Sequence, residues 1–188
     1  GTGNTLIDAF TRHYFPEKAY DKDAEMATQG SVNQDLLGEL KSDNFFEGAF
    51  PKTTGPELFS IEYVRKAQAT SNTENISVND LLATLTRFSA ETIAEAVNFT
   101  INNTNISIKD FNVYMSGGGM HNPLLVSWLK ELLPCNFLKT NDLGISGDAK
   151  EAVLFAILAN ETISGGESDF GSRRGIPSVS MGKISFPS

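Results

Sequence analysis

The sequence predicts an α/β lobe, and three segments carry that expectation. Ser77 to Phe99 sets Val78, Leu81, Leu82, Leu85, Phe88, Ile93, Ala96 and Val97 on one stripe with polar groups opposite, the period of a long amphipathic helix. Phe111 to Met115 alternates and is rich in β-formers, then runs straight into Ser116-Gly117-Gly118-Gly119 and the start of another helix at Asn122-Pro123. Asp148 to Ile163 is a second well-patterned helix. Helix, strand, glycine loop, helix, strand and helix thus follow in order.

Taken from the start, Gly1-Thr2-Gly3-Asn4 ahead of Leu6, Ile7, Ala9 and Phe10 reads as a tight glycine turn feeding a short helix with an apolar face. Ala24, Met26 and Ala27 lie between charges in Tyr20 to Gly30, and Leu36, Leu37 and Leu40 recur at helical spacing; Gly30 then reads as the C-cap between two short helices. Phe45 to Gly55 holds three Phe, two Gly and Pro51 without a period, an aromatic-anchored loop, and Pro56 suits the first turn of a helix through Gln68. Ser77, with Asp80 three residues on, starts the long helix. Asn122 as N-cap and Pro123 at the first helical position open a helix through Leu133. Cys135 to Lys139 is a second short strand, Gly165 to Ser168 a surface loop, and Val179 to Phe186 a weak terminal strand. There is no repeat of fixed period, and one continuous domain is the simplest division.

A chain of 188 residues buries roughly two-thirds of its unfolded surface, enough for a real core. Fifteen Lys and Arg against 23 Asp and Glu give −8. Without a basic stripe such a chain repels phosphate backbones, so nucleic acid is not its main partner; a local anion site made of backbone N–H groups survives that charge. Cys135 has no internal disulfide partner, and with only His13 and His121 beside it no structural zinc site is expected. No apolar stretch reaches the length of a bilayer crossing, so no membrane partner is expected and the expected setting is reducing and cytoplasmic. The sequons at Asn75, Asn98, Asn102, Asn105 and Asn160 then stay unglycosylated, and an opening without Met suggests a fragment or a processed product.

Three places could carry chemistry. Gly117, Gly118 and Gly119 between a strand and a helix N-terminus allow a phosphate, ribose or purine to approach the main chain, although taken alone they read first as a structural turn. The loop is neither a Walker loop nor a dinucleotide fingerprint. Gly1, Thr2, Gly3 and Asn4 have the same character, with a flexible chain end as the other reading. Glu151 could hold a sugar hydroxyl or act in acid/base work, and it also fits a capping box with Asp148 as N-cap.

Five ordered motifs then resemble one family: Gly1-Thr2-Gly3-Asn4-x-Leu6-Ile7-Asp8-Ala9, Tyr20-Asp21-Lys22-Asp23, Pro51-Lys52-Thr53-Thr54-Gly55-x-Glu57-Leu58-Phe59, Ser116-Gly117-Gly118-Gly119-x-His121-Asn122-Pro123-Leu124-Leu125, and Leu143-Gly144-Ile145-x-x-Asp148-x-x-Glu151-Ala152-x-x-Phe155-Ala156. Their order and spacing are similar to the C-terminal half of anhydro-N-acetylmuramic acid kinases. The resemblance implies one lobe of a two-lobed actin/hexokinase-like (ribonuclease H-like) kinase, a small mixed sheet flanked by many helices, with the N-terminal lobe absent.

The activity it implies is ATP-dependent conversion of 1,6-anhydro-N-acetylmuramic acid to N-acetylmuramic acid 6-phosphate in cell-wall recycling, with Mg2+ carried by ATP. An aspartate of an Asp-Thr-Gly-x-Gly-Asn motif activates water in that family, which would place the base two residues upstream of Gly1. Gly1, Thr2, Gly3 and Asn4 would form a phosphate loop; Gly117, Gly118 and Gly119 would border adenosine with Asn122 nearby; Glu151 would reach the sugar. Thr2 stands where many relatives have Pro, and Pro56 where many have Arg or another polar residue. A homodimer is compatible with this reading. Another sugar kinase of the same superfold and a catalytically inactive binding or dimerisation module are the alternatives.

Overall fold

The computed structural model describes residues 2–55, 57–104 and 106–164. Gly1, Pro56, Asn105, the Gly165 to Ser168 loop and the Val179 to Phe186 strand lie outside the described residues. The chain divides into two compact units, one ending at Lys139 and the other beginning at Thr140.

The first unit runs α1 (Thr5–Tyr14), α2 (Glu25–Thr28), α3 (Gln34–Lys41), α4 (Asn44–Glu47), α5 (Ile61–Ser71), α6 (Val78–Asn102), β1 (Asn112–Met115), α7 (Pro123–Leu132) and β2 (Asn136–Lys139). Helix α6 is its axis. It starts where the sequence places it, with the Ser77 hydroxyl accepting the Asp80 N–H at 3.0 Å. It departs from a one-sided stripe, however: from Leu81 to Ala90 every residue but Arg87 is buried, because α1, α2 and α3 pack on it as well as α7. The threonines survive burial because their hydroxyls bond back to carbonyls one turn earlier, Thr84 to Asp80 at 2.7 Å, Thr86 to Leu82 and Thr92 to Phe88 at 2.8 Å.

Two apolar cores share this axis. Leu6, Ile7, Phe10, Leu36, Leu40, Val64, Leu82, Leu85 and Phe88 fill the first; Ala90, Ala94, Leu125, Leu129 and Leu133 fill the second. Complete burial of a side chain such as Phe88 contributes about 1.5–3 kcal/mol. Ser89, wholly buried, lies between them in sequence.

The sheet among the described residues is not mixed. Strands β1 and β2 pair in parallel, Val113 opposite Phe137 and Tyr114 opposite Leu138, as the helical crossover through α7 requires. Other expectations shift as well. Gly30 does not act as a left-handed C-cap, since its φ is not positive; it is small because a Cβ there would be driven into the Asn79 carbonyl at the head of α6. The helix expected from Pro56 begins at Ile61, capped by the Ser60 hydroxyl, which accepts the Tyr63 N–H at 3.3 Å.

The Phe45 to Gly55 loop opens within the single turn α4, whose start is capped by Asp43, the carboxylate accepting the Phe45 N–H at 2.8 Å. Phe45, Phe46 and Phe59 meet within 5.8 Å of one another, so the loop is aromatic-anchored. The Asp21 carboxylate accepts the Met26 and Ala27 N–H groups at 3.0 Å each and so holds the start of α2.

In the second unit, α8 (Lys150–Ser164) follows a turn in which Gly144 has φ 76°. The Ser146 hydroxyl accepts the Ala149 N–H at 3.3 Å. The helix starts one residue beyond the register expected for a capping box, so Glu151 is its second residue rather than its third. Val153, Leu154, Phe155 and Ile157 are exposed. Among the described residues no helix is long and apolar enough to cross a membrane.

Candidate functional site

Helices α1 and α7 both pack on α6, and each is preceded by a glycine turn. Gly3 has φ 56° and Gly117 φ 76°, conformations that side chains with a Cβ rarely adopt. The buried hydroxyl of Ser89 fixes the first turn: it donates to the Gly3 carbonyl at 2.7 Å and meets the Thr2 hydroxyl at 2.7 Å. Ser89 has one proton, and it goes to Gly3, so Thr2 is the donor in the second contact.

Asn4 joins the two turns. It stands at the N-cap of α1, yet its side chain makes no capping bond there. The Asn4 amide instead donates to the Gly118 carbonyl at 3.4 Å, while its oxygen accepts from the Asn122 amide at 3.4 Å. Asn122 is only 4% exposed, and its own oxygen accepts the Leu125 N–H at 2.9 Å, capping α7. The two asparagines thus hold two helix N-termini beside each other, an arrangement suited to anions through oriented N–H groups and aligned dipoles.

Gly118 and Gly119 differ from Gly117. Neither has positive φ; a Cβ on Gly118 would meet nothing within 4 Å, and one on Gly119 would touch Leu125 at 3.7 Å. The fold alone therefore accounts for Gly117 and leaves Gly118 open to a ligand. Burial raises the carboxyl of Asp8, one turn along α1 from Asn4, above the ordinary aspartate range, against the opposing pull of Arg12.

Of the residues singled out in the sequence, Thr2, Gly3, Asn4, Gly117, Gly118, Gly119 and Asn122 come together here. Glu151 belongs to the second unit, where it is exposed, and Gly1 lies outside the described residues. Sequence reasoning missed Ser89; its signal was a Ser/Thr series, Thr84, Thr86, Ser89 and Thr92, inside an otherwise apolar helix. It also gave no role to Thr53 and Thr54. Their loop closes a cavity of about 320 Å³ against Thr2 and Thr5.

Replacing Asn122 by alanine removes a cap and the bridge at once, and is expected to destabilise the protein by about 1–2 kcal/mol. Asn122→Asp keeps the capping oxygen and should retain most of that stability. Denaturant midpoints of both variants check this; equal losses would show that the amide link to Asn4, not the cap, matters.

Comparison with known proteins identifies the family. The family model for anhydro-N-acetylmuramic acid kinase matches residues 1–185. Proteins named anhydro-N-acetylmuramic acid kinase match from Pseudoalteromonas atlantica at 52% identity over the whole chain and 46% of the relative, and from Pseudoalteromonas translucida at 45% over 99% and 46%. A third, from Caldanaerobacter subterraneus, matches at 38% over 99% and 47%. The chain spans about half the length of the curated relatives it matches. With a family match across nearly its full length, the chain belongs to the anhydro-N-acetylmuramic acid kinase family.

Proposed function

We propose that this chain is the C-terminal lobe of an ATP-dependent kinase that opens the 1,6-anhydro bridge of anhydro-N-acetylmuramic acid and phosphorylates the freed oxygen, in cell-wall recycling. The observation that carries the reading is the Asn4 bridge, which sets one glycine turn beside another at two helix N-termini. Such a pair can cradle a polyphosphate with backbone donors in a chain of net charge −8, which is how phosphoryl transfer can be served without a cluster of lysines.

In this reading Gly1, Thr2, Gly3 and Asn4 form the phosphate loop, Gly117 to Gly119 border the adenosine with Asn122 nearby, and Glu151 reaches the sugar. The superfold is the two-lobed actin/hexokinase type. An aspartate two residues upstream of Gly1 takes a proton from water as its oxygen adds to the anomeric carbon. The bond from that carbon to O6 breaks, and O6 takes the γ-phosphoryl group while ADP leaves. Among the described residues no group of three or more His, Cys, Asp or Glu could hold a metal ion; the magnesium would arrive with ATP and offset its phosphate charge.

The test is mass-spectrometric detection of N-acetylmuramic acid 6-phosphate after the full-length protein is incubated with ATP, magnesium and anhydro-N-acetylmuramic acid, beside the 188-residue chain. Product is expected from the full-length protein alone. Product from the 188-residue chain would mean that the base lies within it; no product from either would refute this sugar as the substrate.

A further inference from the structure

The turn from Thr2 to Thr5 is closed at its ends and free at its centre. The Thr5 N–H donates to the Thr2 carbonyl at 3.2 Å, and the Asn4 carbonyl accepts the Asp8 N–H at 2.8 Å as α1 begins. Between these bonds lies the Gly3–Asn4 peptide. A peptide at the centre of such a turn has two orientations, related by a flip that changes ψ of the residue before it and φ of the residue after it. Gly3 accepts either value, and asparagine is among the few residues with a side chain that tolerate positive φ, so local geometry leaves both orientations open.

Ser89 decides between them from 86 positions away. Its hydroxyl, wholly buried in α6, donates to the Gly3 carbonyl at 2.7 Å, and with that oxygen drawn toward α6 Asn4 stands at φ −87°. The peptide is trans, so its N–H points opposite to its carbonyl. The Asn4 N–H is therefore turned away from α6, and no acceptor among the described residues takes it. The Thr2 hydroxyl, donating to Ser89 at 2.7 Å, fills the acceptor side of the serine and leaves its proton to Gly3. Neighbouring hydroxyls behave differently: those of Thr84, Thr86 and Thr92 donate to carbonyls of their own helix, the usual course for such residues, whereas Ser89 donates across to the turn before α1.

We infer that Ser89 is a positioning residue for the nucleotide phosphates: through the Gly3 carbonyl it holds the Gly3–Asn4 peptide so that the Asn4 N–H faces a phosphate oxygen. The inference rests on the kinase reading above and says how its phosphate loop is preset before a ligand arrives. Without the Ser89 proton the flipped peptide, which offers a phosphate a carbonyl in place of an N–H, becomes populated. Apparent affinity then falls with the fraction of molecules left in the competent orientation.

The experiment is calorimetric titration of the full-length protein with ATP and, separately, with adenosine. Ser89→Ala removes the proton and is expected to weaken ATP binding roughly tenfold, while adenosine, which has no phosphate to meet the turn, binds as it does to the wild type. Ser89→Cys fills the same space with only a weak S–H donor; its ATP affinity should fall between the two, and it serves where the alanine variant does not fold. Thr86→Val loses an equally buried hydroxyl of the same helix and should keep the wild-type ATP affinity. ATP affinity unmoved in folded Ser89→Ala protein overturns the inference. So does an equal loss for ATP and adenosine, or a loss in Thr86→Val matching that in Ser89→Ala, since either would mean a general disturbance of α6. A wild-type protein that binds no ATP is the separate result that removes the kinase reading and this inference together.

Discussion

Gly30→Ala is expected to destabilise the first unit more than any other single methyl addition considered for it. The added Cβ would overlap the backbone carbonyl of Asn79 and lie 2.7 Å from the Asp80 nitrogen, and backbone at the head of a buried helix has no rotamer through which to yield. The two segments are also tied there: the Asp80 carboxylate accepts the Ser31 N–H at 2.7 Å and the Thr84 hydroxyl accepts the Asn33 N–H at 2.9 Å. Separating them to admit the methyl would break both bonds and pull α3 from the core. A loss of about 3 kcal/mol or more follows, roughly 10 °C in Tm for a chain of this size. Gly38 is the control. It is exposed in the interior of α3 with nothing within 4 Å of its would-be Cβ, so Gly38→Ala should raise stability by about 0.5–1 kcal/mol. Thermal unfolding followed by circular dichroism reads both, and a Gly30→Ala protein melting within 2 °C of the wild type would refute the close-approach argument.

Gly30 also illustrates what sequence could reveal. Its punctuation between two helical patterns was legible, but the reason for a glycine there was not, because the Asn79 carbonyl that excludes a side chain lies 49 positions away in the chain. The local signals carried well: Asn122-Pro123 opens α7 and Ser77 opens α6, since caps depend on residues three apart. The burial of Thr84, Thr86 and Thr92 was not legible, because a threonine's bond to its own helix hides its polarity from any periodicity count. The start of α5 was misplaced for a related reason. Pro56 and Ser60 are both good openers, and the choice fell to packing of Phe59 against Phe45, Phe46 and Phe88. At the candidate site the two glycine loops could be recognised separately; that Asn4 links them, and that Ser89 anchors one, needed the three-dimensional path of α6.

Gly118→Ala separates the two meanings of a three-glycine loop. Gly117 has φ 76° and ψ −177°, a region favourable to glycine alone, so an alanine there costs of order 1–3 kcal/mol whether or not a ligand ever binds. Gly118 carries no such demand. Its φ is not positive, a Cβ would meet no protein atom within 4 Å, and alanine suits the helical turn from Gly118 to His121 at least as well. The folded protein should therefore tolerate Gly118→Ala with Tm within about 1 °C of wild type. If the proposed nucleotide lies on this loop, the methyl occupies the space its ring or ribose needs, and a steric cost of about 1.4 kcal/mol or more raises the ATP KM at least tenfold. Measured in the full-length protein, an unchanged ATP KM would make Gly118 a residue of the turn only and would move the nucleotide off this loop. A raised ATP KM with unchanged Tm cannot come from a damaged fold, and it would assign the loop to the nucleotide even though Asn4 and Asn122 hold the same loop in place.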